Sequence, residues 1–216
     1  MSQVILVRHG QANSEARDES GYDKLSALGH QQARWLGEHF ATSGEIFARV
    51  YRGSLRRHAE TARSMGFEAA QEDARLDEMA FFQLALLLQQ QHGIGFPKER
   101  EAFAAHLPVL LEHWRRDEIA DAPETFAQFE TPVRDALSDI AAGDGRALVV
   151  TSGGLIAMAI RHVLGLDVPA MAQLCLSVEN SSLHRLQAMP GGLTLVQFNA
   201  LPHLEHPHRQ HARSHL

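Results

Sequence analysis

The chain has 216 residues, 44% of them hydrophobic and 21% charged, with a formal net charge of −6. That length fits one α/β domain with a full core, and the acidic balance argues against a general nucleic-acid binder. No stretch approaches the ~18 apolar residues of a membrane span, so no membrane partner is expected.

The first element is Val4-Ile5-Leu6-Val7, four apolar residues, three of them β-branched. Such a run reads as a strand buried on both faces. It enters with no basic region or cleavage site before it, so no signal peptide is expected. It ends in Arg8-His9-Gly10, and past the carboxyl ends of strands is where an open α/β sheet carries its chemistry. Gly10 is expected to let the chain turn and a ligand approach. Gln11 to Lys24 is too polar for a core element and reads as a rim loop.

Ser26 is a good N-cap. Leu28, Gln32, Trp35, Leu36 and Phe40 follow at helical spacing, and the helix should end near Thr42-Ser43-Gly44. Ile46 to Tyr51 reads as a second strand. After Gly53-Ser54 a helix is expected, with Leu55, Ala59, Ala62 and Met65 on one face. Arg56 and Arg57 then fall in its first turn, where cations oppose the helix dipole. That conflict points to an anionic ligand, with Arg56 itself read as solvated.

Leu76-Asp77-Glu78-Met79 follows a polar loop. From Ala80 to about Ala142 the patterns are helical, broken at Gly93-Ile94-Gly95, Pro108, Pro123 and Pro132, and read as packing helices plus a lid. Ala147-Leu148-Val149-Val150 is a third buried strand. It ends in Thr151-Ser152-Gly153-Gly154, ahead of a helix over Leu155–Ile160. A strand, a glycine pair and a helix N-terminus offer backbone N–H groups to an anion. Cys175, the single cysteine, excludes an internal disulfide, fits a reducing, cytoplasmic compartment and reads as a small buried hydrophobe. Ser182–Met189 and Leu193–Phe198 flank Pro190-Gly191-Gly192 as a hairpin. The tail carries His203, His206, His208, His211 and His215. It lacks the Cys or carboxylate spacing of a zinc site, so it reads as solvated, with no metal expected.

Four segments occur in one order: Arg8-His9-Gly10, then Leu25-Ser26-x-x-Gly29-x-x-Gln32-Ala33, then Leu55-x-Arg57-x-x-x-Thr61-Ala62, then Val150-Thr151-Ser152-Gly153-Gly154. Together they make the chain resemble the histidine phosphatase superfamily, in its phosphoglycerate mutase-like branch, over about the first 200 residues. The resemblance implies a three-layer α/β/α sandwich with a mostly parallel central sheet and a C-terminal hairpin. The expected organisation is one domain over 1–200, a helical insert at about 80–142, and a flexible tail over 201–216.

The resemblance also implies roles. His9 is the nucleophile that takes the phosphoryl group, which requires a neutral imidazole. Arg8 and Arg57 grip phosphoryl oxygens with planar forks of donors. Glu78 matches the general acid, with Asp77 as the alternative. Ser152, Gly153 and Asn13 complete the phosphate-binding set. Two departures stand out. Most members carry a second histidine where this chain has Ser152, and many carry an asparagine where it has Glu15, which is expected to point away. A serine hydroxyl still donates to a phosphate oxygen; another histidine, His184 or one from the tail, is a candidate to fill the gap.

The expected activity is a metal-independent phosphomonoesterase acting on a small phosphorylated substrate, without cofactor, through a phosphohistidine on His9. The alternatives are a catalytically weakened phosphate-binding or regulatory protein of the same fold, or a phosphohistidine protein phosphatase. The sequence leaves the substrate and the oligomeric state open.

Overall fold

The computed structural model describes residues 2–13, 16, 18–97 and 100–215. Strand β1 (Gln3–Arg8) is followed by α1 (Glu19–Tyr22), α2 (Ala27–Ser43), β2 (Arg49–Arg52), α3 (Arg56–Ser64) and β3 (Gln71–Glu72). Next come α4 (Phe81–His92), α5 (Arg100–Arg115), α6 (Phe126–Ala142), β4 (Arg146–Thr151), α7 (Gly153–Leu164), α8 (Val168–Ser177), β5 (Leu183–Met189) and β6 (Gly192–Ala200).

The six strands form one sheet in the order β3-β2-β4-β1-β5-β6. β1, β2, β3 and β4 run parallel, while β5 pairs antiparallel with β1 and with β6. The fold is the expected α/β sandwich, and the hairpin supplies its antiparallel edge. Alternation along β1 shows why the run had to be apolar throughout. Val4 and Leu6 pack with the core of α4 to α8, whereas Ile5 and Val7 pack with Ala33, Leu36, Phe40 and Ala62 of α2 and α3. All four are fully buried, and each such side chain contributes about 1.5–3 kcal/mol. The two central parallel strands, β1 and β4, end side by side, with Arg8 opposite Thr151. The ends of both strands open on one rim.

The caps of α2 lie where the residues predict them. Ser26 accepts from the Gly29 N–H at 3.0 Å, and Gly44 closes the helix in the left-handed region at φ 69°. Pro108 and Pro132 correct the expected breaks, because both lie inside helices, α5 and α6. Each removes one backbone bond, and the buried neighbours Leu107, Leu110, Leu111, Phe129 and Val133 hold the helices across them. Glu19–Tyr22 and Gln71–Glu72 form a short helix and a short strand in stretches that read as loops.

The tail departs from its prediction in part: His206, His208 and His211 are exposed as expected, but short stretches of residues 202–215 pack on the domain. Leu201, Leu204 and Ala212 are buried against Leu28 and Trp35. Gln32, fully buried in α2, donates to the Ala212 carbonyl at 2.7 Å and to Ser214 Oγ at 2.9 Å. Arg209 stacks on Trp35 at 4.8 Å. Among the described residues no helix is long and apolar enough to cross a membrane.

Candidate active site

His9 follows the last residue of β1 and is 2% exposed. Its N–H donates to the Thr151 carbonyl at 2.8 Å, tying it to β4. Its Nδ1 lies 2.7 Å from the Gly10 carbonyl. A carbonyl only accepts, so the proton sits on Nδ1 and the lone pair of the neutral ring is on Nε2. Burial lowers the pKa well below the ordinary imidazole value, aided by the charges of Arg57 and Arg8 and by His58.

Gly10 has a packing role rather than a turning one. A Cβ there would sit 2.3 Å from the Gly29 carbonyl oxygen, so the loop after β1 lies directly on the start of α2. The Gly10 N–H donates to Thr61 Oγ1 at 3.1 Å, and that hydroxyl donates to the Arg57 carbonyl at 2.7 Å. Thr61 thereby locks α3 to the residue after the imidazole.

Arg8 and Arg57 are both buried beside His9. Arg8 donates from Nη1 to the Val178 carbonyl and lies over Gly153, where a Cβ would be 3.5 Å from its Nε. Arg57 donates to Asp23 at 3.1 Å, and its guanidinium stacks on Tyr22 at 5.1 Å. The Nε atoms of both arginines are buried without a partner among the described residues. Unpaired buried donors are costly, and two beside one imidazole suit an anion.

The dipole conflict at α3 has a protein answer. Asp23 accepts the N–H groups of Arg56 and Arg57 at 2.9 and 3.1 Å. Arg56 is exposed and pairs with Glu60. Asp77 accepts the Ser54 N–H at 2.6 Å and the Ser54 hydroxyl at 2.5 Å, which anchors it to the turn before α3.

Glu78 points the other way, to the start of α7. Its Oε2 accepts the Gly154 N–H at 2.9 Å and its Oε1 the Met79 N–H at 3.1 Å. The expected anion site at this helix N-terminus is thus partly occupied by the chain's own carboxylate. A Cβ at Gly154 would lie 2.3 Å from Glu78 Oε1, so the glycine is what admits it. Burial raises the Glu78 pKa, outweighing that N–H bond and the nearby Arg57.

Ser152 is fully buried at the head of α7, and its Oγ lies 2.7 Å from His58 Nε2 and 3.5 Å from Arg57 Nη2. His58 went unread in the sequence. The signal was there: position 58 falls between Leu55 and Ala62 at helical spacing, a polar residue on a buried face. The histidines considered for this place lie elsewhere. His184 bonds Ser182 at 2.9 Å and His203 bonds Ser181 at 2.8 Å. Asn13 donates to the Gly21 carbonyl at 3.1 Å and braces the loop after β1. Glu15 lies outside the described residues. Among the described residues, no group of three or more His, Cys, Asp or Glu side chains is arranged to hold a metal.

Solved structures share this architecture. One is a phosphoserine phosphatase variant from Entamoeba histolytica in complex with phosphoserine, 18% identical, with a TM-score of 0.70 over 94% of this chain and 100% of that one. Another is Bacillus stearothermophilus YhfR, 20% identical, with a TM-score of 0.69 over 95% of this chain and 100% of that one. A third is mycobacterial glucosyl-3-phosphoglycerate phosphatase with VO3, 23% identical, with a TM-score of 0.63 over 92% of this chain and 98% of that one. No match was found among curated protein sequences. The family model for the histidine phosphatase superfamily (branch 1) matches residues 4–201, from the first strand to the end of the hairpin, and the chain belongs to that superfamily.

Proposed function

We propose that the protein is a phosphomonoesterase that hydrolyses a small phosphorylated substrate through a phosphohistidine on His9. The observation that carries the reading is the Nδ1–Gly10 bond at 2.7 Å. It leaves Nε2 as a nucleophile between two guanidinium groups.

In the first step Nε2 attacks phosphorus as the bond to the leaving oxygen breaks, and Glu78 gives that oxygen its proton. A raised pKa suits an acid that must arrive protonated. The phosphorylated ring keeps its Nδ1 proton and is therefore cationic, stabilised by the Gly10 carbonyl and reactive toward water. In the second step Glu78, now a carboxylate, takes a proton from water as its oxygen bonds to phosphorus and the P–N bond breaks. Phosphate leaves, and both His9 and Glu78 return to their starting states. Arg8 and Arg57 hold the equatorial oxygens, the charge stabilisation on which phosphoryl transfer depends. With two fixed cations at hand, the reaction needs no metal.

Two of the neighbours named above act, by their names, on phosphoserine and glucosyl-3-phosphoglycerate. Here the rings lead outward from His9 through Tyr22 at 6.2 Å, Phe82 at 6.0 Å from Tyr22, and Phe96 stacked on Phe82 at 5.8 Å. The Glu19 carboxylate accepts the Phe82 N–H beside them, its pKa raised by burial. This wall favours an uncharged, apolar or aromatic leaving group over a carboxylate-bearing one.

The test is turnover of p-nitrophenyl phosphate in EDTA by wild type and His9→Ala, with acid-quench trapping of an acid-labile, base-stable phosphoenzyme. We expect turnover and labelling in the wild type and neither in the variant. Equal rates would end the reading. In a substrate panel, aryl phosphates should exceed phosphoserine in kcat/KM.

A further inference from the structure

Two buried residues of the cluster have no task in the steps above. His58 comes from α3, and its ring lies 5.9 Å from that of His9, tilted by 36°. On one side Nε2 meets Ser152 Oγ at 2.7 Å. On the other, Asp77 Oδ1 stands 3.7 Å from Nδ1, a buried nitrogen with no hydrogen bond among the described residues. Gly53 lies between these two: a Cβ there would be 2.2 Å from His58 Nδ1 and 2.5 Å from Asp77 Oδ1. The carboxylate and the imidazole are neighbours because residue 53 has no side chain. The remaining charged groups around His58 are Arg57 of its own helix and Arg52 at the end of β2.

Most buried polar groups are paired, and His203, which also leaves Nδ1 unpaired, has no carboxylate beside that nitrogen among its described contacts. His58 pairs one nitrogen with a hydroxyl that sits within reach of Arg57, and keeps the other beside an anchored carboxylate. We propose that Asp77, His58 and Ser152 form a relay that makes the Ser152 hydroxyl a donor to the transferring phosphoryl group. The inference rests on the assignment of His9 as the nucleophile. With an anionic oxygen held by Arg57, Ser152 turns its O–H toward that oxygen and accepts in its place from His58 Nε2. Asp77, on the Nδ1 side, stabilises the positive charge that the ring gathers. The ring reaches that state by taking one proton from the monoanionic phosphomonoester as it binds: the N–H bond forms at Nε2, the substrate's P–O–H bond gives up its proton, and the proton returns to the departing phosphate. Ser152 touches the reacting group; His58 and Asp77 are positioning residues. An imidazole thereby serves the site from α3, although the turn between β4 and α7 carries a serine.

The test compares His58→Ala, His58→Gln, Ser152→Ala, Ser152→His and the doubles His58→Ala/Ser152→Ala and His58→Ala/Ser152→His. The readouts are kcat and KM for p-nitrophenyl phosphate, orthovanadate affinity and thermal melting. Each alanine single is expected to lower kcat about 10- to 100-fold with KM changed less than about 3-fold. The alanine double should be no slower than the poorer single, because both break one chain. His58→Gln keeps the donor to Ser152 without the charge and should fall between wild type and His58→Ala; it also keeps the test valid should the alanine cavity unfold the protein. Ser152→His alone should lose activity, since His58 already fills the space. Combined with His58→Ala it should recover to within about 5-fold of wild type.

Additive losses, losses confined to melting temperature, or a fully active Ser152→His single would each overturn the relay. Should wild type turn over no phosphomonoester, the reading of His9 fails on its own, and vanadate decides the relay. His58→Ala and Ser152→Ala must then weaken its binding equally, and unchanged binding overturns the relay.

Discussion

Replacing Glu78 with Gln separates the two half-reactions. The amide keeps the size of the side chain and an oxygen for the Gly154 N–H that Glu78 accepts at 2.9 Å. It has no proton to give to a leaving alkoxide and no basic carboxylate to take one from water. General acid–base catalysis supplies roughly 10²- to 10⁴-fold, or about 3–5 kcal/mol of barrier. For an alkyl phosphate kcat/KM reports phosphorylation of His9, and it should drop by that factor. p-Nitrophenolate leaves well without a proton, so phosphorylation survives while attack by water slows. Stopped-flow traces of Glu78→Gln should then show a burst of nitrophenolate close to one per active site, followed by a slow steady state and a trapped phosphoenzyme. The pH profile carries the same signature. Because the Glu78 pKa is raised by burial, the carboxyl keeps its proton to higher pH than an ordinary glutamate. In the wild type, alkyl phosphate kcat/KM should fall as pH rises through that value, and the variant should lack that limb. Equal losses on both substrates with no burst would refute the assignment.

Three further outcomes follow from the packing. Gly154→Ala should lower kcat while leaving vanadate affinity nearly intact, because its Cβ would fall 2.3 Å from Glu78 Oε1 and push the acid out of place; unchanged kinetics would mean that Glu78 is not held there. Acid should destabilise the fold: burial lowers the pKa of His9, His58, His184 and His203, the last two to about 3. Above the ordinary imidazole value folded and unfolded chains are both neutral at these positions. Below ~6.5 only the unfolded chain gains the protons, so stability falls by up to about 1.4 kcal/mol per pH unit per histidine. Urea unfolding from pH 7 to 5 measures this slope, and His184→Asn should reduce it; an unchanged slope would contradict the burial argument. Cutting the chain after Leu201 removes the burial of Leu204 and Ala212 and strips Gln32 of two acceptors. The cost should be about 3–6 kcal/mol, with red-shifted fluorescence from Trp35; a truncated chain as stable as the full one would show that the tail contributes no packing.

The sheet was legible because its strands are two-faced. A run such as Val4–Val7, apolar at every position, has few homes other than the middle of an α/β/α stack. The caps of α2 were legible because Ser26 and Gly44 act locally. β3 was hidden: two exposed residues, Gln71 and Glu72, pair with β2 without any hydrophobic period. In the cluster, residues at strand ends were easy to nominate, since position along the chain predicts position in the fold. What escaped were pairings across the chain. Ser152 meets His58 from 94 positions away, and Asp23 meets the first turn of α3. Ser152 had read as a lone replacement for an imidazole because its neighbour is invisible until the chain is folded. The tail misled because a histidine-rich composition says nothing about Leu204 and Ala212, the two residues that hold it down.

The closing segment has a practical corollary. The Ser214 carbonyl accepts the Asn180 N–H at 2.8 Å, and the Asn180 amide reaches the His9 carbonyl at 3.4 Å. Only Asn180 therefore separates Ser214 from the nucleophile's own backbone. A substitution or a fused segment that displaces Ser214 would be felt at the imidazole, and rates compared across such variants would partly measure that displacement.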